Sequence, residues 1–247
     1  MGWTAAQSIV MKNLATLTAT VGVALLLTGS LNGGTANADH RPCDNSKAVV
    51  DLSQPEDWET ACAGAIDAIS FLEANGFRLG GPINIHMMGR IAEKELAHAF
   101  GYFDSQDERV HVLSFSASHE VVQGVGIFGL PMDRDLYRSI VTHEVAHLIA
   151  SHNFTMKSPP GMAQEYIAYV TQLATMPPGL RDRILANFPG EGFRTSMEIS
   201  PVIHMLSPEN FAVRVYRHFV RTENGAAFFR RLLTGEIRLD LWVDLVL

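Results

Sequence analysis

Apolar side chains recur at every third or fourth position from Trp58 onward, which predicts an amphipathic helix that ends at Gly76. The apolar positions of this helix are Trp58, Ala61, Cys62, Ala65, Ile66, Ile69 and Leu72. Two more helices are predicted over residues 133–151 and 162–176, separated by the turn-forming Pro159-Pro160-Gly161. Helical periodicity resumes after residue 207 and continues to about residue 233, with a break at Asn224-Gly225.

Three short runs alternate between apolar and polar side chains and therefore predict strands. They lie at residues 83–87, 99–103 and 110–115, and the last two flank five polar residues that suit a hairpin. The chain has no internal repeat, and residues 39–47 resemble a linker. We therefore expect an α+β fold in which a small antiparallel sheet packs on the 133–151 helix and a mainly helical C-terminal part follows.

The first 38 residues have the pattern of a secretory signal peptide. Lys12 precedes an apolar run that ends at Leu27, and Ala36-Asn37-Ala38 provides small residues for cleavage. An uncleaved membrane anchor is disfavoured, because the apolar core has about 15 residues whereas a bilayer needs roughly 20. We expect cleavage after Ala38, export to the periplasm or the medium, and a single domain over residues 39–247 with no membrane association.

Composition limits the partners of this domain. The 247 residues are 47% hydrophobic and carry a formal charge of −7, which suits an ordinary globular domain and argues against a nucleic-acid partner. Cys43 and Cys62 are an even pair in a chain predicted to be exported, so they predict one disulfide. Two unpaired buried thiols are the alternative. Oligomeric state is not predicted.

A His-Glu-x-x-His pattern lies within the 133–151 helix, at His143, Glu144 and His147. Histidines four residues apart share one helical face and can bind one zinc ion, and the intervening glutamate can act as a general base. The two histidines could instead be ordinary core residues. However, a charged Glu144 in an otherwise apolar stretch is unfavourable unless a partner such as a metal compensates it.

Glu165 follows in the next predicted helix, within Gln164-Glu165-Tyr166-Ile167-Ala168-Tyr169. With this glutamate the sequence resembles the gluzincins, zinc metallopeptidases whose motif helix is followed by a second helix bearing a glutamate ligand. The resemblance implies a zincin-like fold, His143, His147 and Glu165 as zinc ligands, and Glu144 as general base. Within that group the chain is most similar to small, uncharacterised bacterial families of predicted metallopeptidases.

Other zinc peptidase classes fit less well. A metzincin would have a glycine and a histidine where this chain has Ala150 and Asn153, and the substrate loop of the gluzincin aminopeptidases is absent. His152 is expected to point away from the site. No residue is selected to orient the two imidazoles, although Asp133, Asp135 and Glu120 precede the motif.

Peptide hydrolysis also needs a hydrogen-bond donor for the developing oxyanion. Tyr169 is one candidate, because it lies one turn from Glu165 on the same helix face. His204, expected in a loop before the last helices, is the other. An extended substrate is expected to lie along a sheet edge, for which we choose the strand at residues 110–115.

Together these features predict an exported zinc-dependent metallopeptidase that acts on a peptide or protein substrate through a zinc-bound water activated by Glu144. The alternative is an exported, non-catalytic zinc-binding or interaction protein with a structural metal site. A hydrolase for a non-peptide amide is a third possibility that the sequence does not separate from the first.

Overall fold

A computed structural model of the chain describes residues 39–52, 55–92, 99–122, 126–221 and 225–239. The predicted signal peptide and its cleavage site after Ala38 lie outside these residues, so export stays a prediction. The described residues form an α+β structure, as expected, and their buried side chains make one continuous core. None of the helices described is long and apolar enough to cross a membrane.

Five strands form one sheet in the part of the chain that the structure describes. They are β1 (Asp39–Pro42), β2 (Ala48–Leu52), β3 (Ile83–Met88), β4 (Gly101–Asp104) and β5 (Arg109–Leu113). Their order is β1-β2-β3-β5-β4, with parallel pairing among β2, β3 and β5 and antiparallel pairing of β1 and β4. The sheet is therefore mixed, and the prediction of an antiparallel sheet was wrong, although β4 and β5 do form the expected hairpin.

Eight α-helices complete the described structure. They are α1 (Trp58–Ala74), α2 (Phe115–Val122), α3 (Arg134–Ser151), α4 (Gly161–Thr175), α5 (Pro178–Asn187), α6 (Pro201–Leu206), α7 (Pro208–Arg221) and α8 (Gly225–Leu233). The three internal helices predicted from periodicity are confirmed as α1, α3 and α4. Asp133 begins α3, because its side chain accepts a hydrogen bond from the backbone N–H of Leu136.

Alternation along the strands gives the sheet two different faces. Val50, Ile85 and Val110 are buried in the core that the sheet shares with α1 and α3. Apart from Val49, their neighbours on the opposite face are polar: Asp51, Asn84, His86, Arg109 and His111. This arrangement explains why only one side of the sheet receives the motif helix.

α3 lies at the centre of the molecule, and nearly all of its residues from Leu136 to Ala150 are buried. It approaches α1 closely at Gly64, where an added Cβ would lie 2.7 Å from the carbonyl oxygen of Arg138. The Arg138 guanidinium makes two 2.6 Å hydrogen bonds to Asp67 of α1. These contacts fix the position of α3, which carries the His-Glu-x-x-His pattern.

The predicted disulfide between Cys43 and Cys62 is confirmed. Cys43 follows β1 and Cys62 lies in the second turn of α1, so the bond ties the first described strand to the helix that packs on α3. Residues 39–47 are consequently part of the fold rather than a linker.

Candidate metal centre

The metal-ligand candidates come from two helices that pack against each other, α3 and α4. His143 and His147 lie one turn apart on α3, on the face toward α4. Pro160 precedes α4 with a backbone conformation outside the helical region, and its carbonyl oxygen accepts the first hydrogen bond of that helix from the N–H of Ala163. The chain therefore reverses before α4, which brings Glu165 opposite the two histidines.

The three side chains converge on one small volume. The Nε2 atoms of His143 and His147 are 3.1 Å apart. The Glu165 carboxylate places Oε2 3.7 Å from Nε2 of His143 and Oε1 4.0 Å from Nε2 of His147. All three residues are buried, with relative exposures of 8%, 1% and 3% respectively.

This donor set fits a zinc ion. Two imidazole nitrogens and one carboxylate are common zinc ligands, and bonds of about 2.0–2.2 Å in tetrahedral geometry separate ligand atoms by roughly 3.3–3.6 Å. The observed separations of 3.1, 3.7 and 4.0 Å lie close to that range. In the part of the chain that the structure describes, Glu165 forms ion pairs only with histidines, so a cation would supply the positive charge that this buried carboxylate lacks.

Glu144 lies on the adjacent face of α3 and is 7% exposed. Its Oε2 atom is buried and has no hydrogen-bond partner among the described residues. A buried carboxylate oxygen without a partner is unfavourable. The same atom is free to accept a proton or a hydrogen bond from a small molecule that enters the site.

Tyr169 and His204 both lie at this centre. The Tyr169 hydroxyl is 3.5 Å from Nε2 of His204, and that nitrogen is 3.6 Å from Oε2 of Glu165. His204 belongs to the short helix α6 rather than to the expected loop. Phe211 of α7 packs against the rings of both Tyr169 and His204 and so helps to hold them in place.

Gln172 is a site residue that the sequence analysis missed. It lies on the same face of α4 as Glu165 and Tyr169, because positions i, i+4 and i+7 of a helix align. Its amide donates a hydrogen bond to Ser139 of α3 and neighbours the His143 imidazole. Its spacing from Glu165 was the signal that could have identified it.

Burial determines the protonation of the site. It lowers the pKa of His143 to about 3, with a further lowering by His204 and a smaller opposing effect of Gln172. It likewise lowers the pKa of His147 far below its usual value and that of His204 to about 4. The imidazoles are therefore neutral at pH 7, as metal ligation requires.

The carboxylates respond in the opposite direction. Burial raises the pKa of Glu144 to about 8 and, together with the nearby Glu144, raises the pKa of Glu165 well above its usual value. Burial also raises the pKa of Tyr169, so its hydroxyl stays protonated. Without a cation, the site therefore disfavours two negative charges side by side.

A cavity of about 300 Å³ opens beside the metal-ligand candidates. His143, Glu144, Tyr169 and Gln172 line its inner end. A cavity of this size that ends on convergent polar groups is typical of a small-molecule or peptide subsite.

The expected substrate edge was wrong. β5 lies between β3 and β4, so the strand at residues 110–115 has no free edge. β4 is the edge strand next to β5, and its first residue, Gly101, lies against Glu144. His152 points away from the centre, as expected, and its Nε2 lies 3.7 Å from Oε1 of Glu108.

A second group of possible ligands lies in the β4–β5 hairpin, at Asp104, Asp107 and His111. Asp104 accepts a hydrogen bond from the backbone N–H of Gln106, and Asp107 accepts one from that of Arg109. Such bonds are typical of polar residues that stabilise a turn. The positions of these two aspartates are therefore explained by their role in stabilising the turn.

The fold and the site define an α+β protein with a buried candidate metal centre on a helical hairpin. The chain matches a family of unknown function (DUF6639) over residues 48–242, and it belongs to that family. No curated protein and no solved structure matches the chain.

Proposed function

We propose that this protein is an exported, zinc-dependent metallopeptidase of the gluzincin type. The observation that carries the proposal is the buried triangle of His143, His147 and Glu165, with the unpartnered Glu144 carboxylate beside it. Three protein ligands are typical of a catalytic zinc, because the fourth position is kept for water or substrate. The neighbouring cavity gives a substrate access to that position.

When bound, zinc would supply Lewis acidity, which makes a water molecule more acidic and polarises the scissile carbonyl. Glu144 accepts a proton at its carboxylate from the attacking water as the new C–O bond forms. It then returns this proton to the leaving amine as the C–N bond breaks, so that the carboxylate is regenerated. The positive charge of a bound zinc ion would lower the pKa of Glu144 from its raised value, so that the carboxylate can accept the proton near neutral pH.

Tyr169 and His204 would stabilise the oxyanion that forms on the substrate carbonyl. The Tyr169 hydroxyl remains protonated because burial raises its pKa. Neutral His204 can donate from one ring nitrogen, and its Nε2 lies close to both Tyr169 and Glu165. Donors held in place before the reaction need little reorganisation, which is the physical basis of this kind of stabilisation.

An extended substrate would lie along β4. This strand begins at Gly101, which contacts Glu144, so a peptide added to the outer edge of β4 would pass directly over the catalytic carboxylate. Hydrogen bonds to strand backbone are independent of side chains and would position the scissile bond. Any preference of the enzyme for particular substrate side chains must then come from pockets beside the strand.

The experiment that tests the proposal is zinc stoichiometry of the purified domain by elemental analysis. About one zinc per chain is expected in the wild type, with loss of zinc in Glu165→Ala. His152→Ala is the matched control, because this histidine lies at the end of the same helix but outside the centre. No zinc in the wild type after zinc is added back would overturn the proposal.

A hydroxamate probe separates catalysis from a structural role. A hydroxamate needs an accessible coordination position, so it should bind the zinc-loaded protein and inhibit cleavage of an unfolded protein substrate. A zinc-loaded protein that binds no hydroxamate and cleaves nothing would instead be the non-catalytic zinc-binding protein.

A further inference from the structure

The walls of the cavity beside Glu144 are mainly apolar. Beyond its polar inner end, it is lined by Phe100, Val122, Ile127 and Ile140. Each of these side chains is at most 9% exposed to solvent. Apolar walls bind apolar groups, because transfer of such a group from water to an apolar surface is favourable.

The outer wall is held in place from two other helices. Phe128 has a left-handed backbone conformation with φ of 55°. Its backbone N–H donates to Oε1 of Glu209 at 2.5 Å, and its carbonyl oxygen accepts from Nδ2 of Asn187 at 3.0 Å. An added Cβ at Gly126 would collide with the carbonyl of Leu130. The wall is therefore preformed, which lowers the entropy lost when a ligand binds.

Among the described residues that line the cavity, Glu209 is the single acid other than Glu144. Its Oε1 is already engaged by Phe128, and desolvation raises its pKa. The Glu209 carboxylate therefore fixes the position of Phe128 in the cavity wall. Charge alone would point to a cationic ligand, but the predominance of apolar lining favours an apolar one.

The mouth of the cavity is apolar as well. Leu206 lines the cavity and is nevertheless 64% exposed, and its neighbour Met205 is 54% exposed. Exposed large apolar side chains at the entrance of an apolar cavity are covered when a ligand occupies it. The apolar surface thus extends from the inner end of the site to solvent.

We propose that this cavity is a specificity pocket that accepts a large apolar side chain, aromatic or long aliphatic, of one of the two residues flanking the scissile bond. The assignment rests on the proposed peptidase function. A volume of about 300 Å³ accommodates such a side chain together with part of its backbone. The pocket ends at His143 and Glu144, so the bound residue is adjacent to the bond that is cut.

The test is digestion of a peptide library by the zinc-loaded protein, with identification of the new termini. We expect large apolar residues to be enriched at one flanking position. Val121→Phe fills the pocket and should lower kcat/KM for a Phe-containing peptide about tenfold relative to its Ala-containing analogue. Val202→Phe is the matched control, because this exposed residue of α6 is outside the pocket and should leave the ratio unchanged.

A second variant is useful in case Val121→Phe does not fold. Leu206→Asp places a charge at the mouth, on a side chain exposed enough to tolerate replacement, and should reduce the preference for apolar residues. Val202→Asp is its control, because this exposed side chain of the same helix does not line the cavity. Zinc content is measured in every variant, so that a change of specificity is distinguished from loss of the metal.

The outcomes separate the two proposals. No cleavage of any peptide by zinc-loaded wild type would overturn the peptidase function and the pocket assignment with it. Cleavage without side-chain preference would overturn the pocket assignment alone. A preference for Arg or Lys that Glu209→Gln abolishes would also overturn it, and would assign the pocket to a cation instead.

Discussion

Gly101 and Glu144 are in direct contact across the junction of sheet and motif helix. A Cβ added to Gly101 would lie 2.8 Å from Cγ of Glu144 and 2.5 Å from the carbonyl oxygen of His111. Real Cβ atoms do not approach other atoms so closely, so only glycine fits between β5 and the carboxylate. The edge strand β4 and the proposed general base are therefore positioned by one another.

Gly101→Ala should displace Glu144 while leaving His143, His147 and Glu165 in place. We expect kcat/KM to fall by about 10²-fold, because a displacement of about 1 Å is sufficient for such a loss. Zinc content should remain at the wild-type value. Gly89→Ala is the control, since an added Cβ there meets nothing within 4 Å. A folded Gly101→Ala protein with wild-type activity would show that the position of Glu144 is unimportant.

Glu144→Gln should retain zinc and lose peptidase activity by about 10²- to 10⁴-fold, the range for removal of a general base. The amide has the same shape but cannot accept the proton of water. Peptide hydrolysis and zinc stoichiometry are measured on the same preparation. Retained activity would exclude Glu144 as the base.

The disulfide should contribute substantially to stability. Cys43 and Cys62 are separated by 19 residues, a loop for which cross-linking is worth about 3 kcal/mol. For a domain of this size, Cys43→Ala/Cys62→Ala should lower Tm by roughly 6–12 °C. Thermal unfolding with dithiothreitol provides the check: reductant should lower Tm of the wild type and leave the variant unchanged. Equal sensitivity of the two proteins would contradict the prediction.

His218 should make the fold sensitive to acid. Its Nδ1 is hydrogen-bonded to the hydroxyl of Tyr166 at 2.6 Å. Burial lowers its pKa, Arg221 lowers it further, and Glu198 raises it less. The unfolded chain therefore takes up a proton as pH falls through about 6.5, whereas the folded chain resists, so stability decreases on acidification.

His218→Asn removes this titration and keeps an acceptor for Tyr166. Urea unfolding at about pH 7.5 and about pH 5.5 should show a smaller loss of free energy in the variant than in the wild type. Contributions of the metal centre are common to both proteins and cancel in the comparison. An unchanged pH dependence would show that His218 titrates normally in the folded state.

The helices of the core were predictable because their signals are local. Residues 133–151 were expected to be helical, and α3 spans Arg134–Ser151 with Asp133 as its cap. The start of α4 follows from Pro160 in the same way. These signals need only a few neighbouring residues, which one sequence provides.

The sheet was predicted less well because strand pairing is not local. β1 lies inside the segment at residues 39–47 that resembled a linker, and β2 follows directly after it. Both strands are short and give little periodicity. Parallel pairing of β2 with β3 depends on α1, which connects them and packs on one face. His204 was a candidate from the sequence, but its place at the centre depends in the same way on tertiary packing, here of α6 against α7.

Seventeen residues lie between His147 and Glu165, so all three proposed zinc ligands belong to one helical hairpin. Closing so short a loop loses little chain entropy. In the proposed metallopeptidase, zinc would therefore join α3 to α4 while the rest of the chain is still assembling. Gly101 and His204 come from distant parts of the sequence and complete the site only when the sheet and α6 have docked. In the proposed metallopeptidase, capture of the metal would thus precede the ability to cut, which would protect the unfinished chain from its own activity.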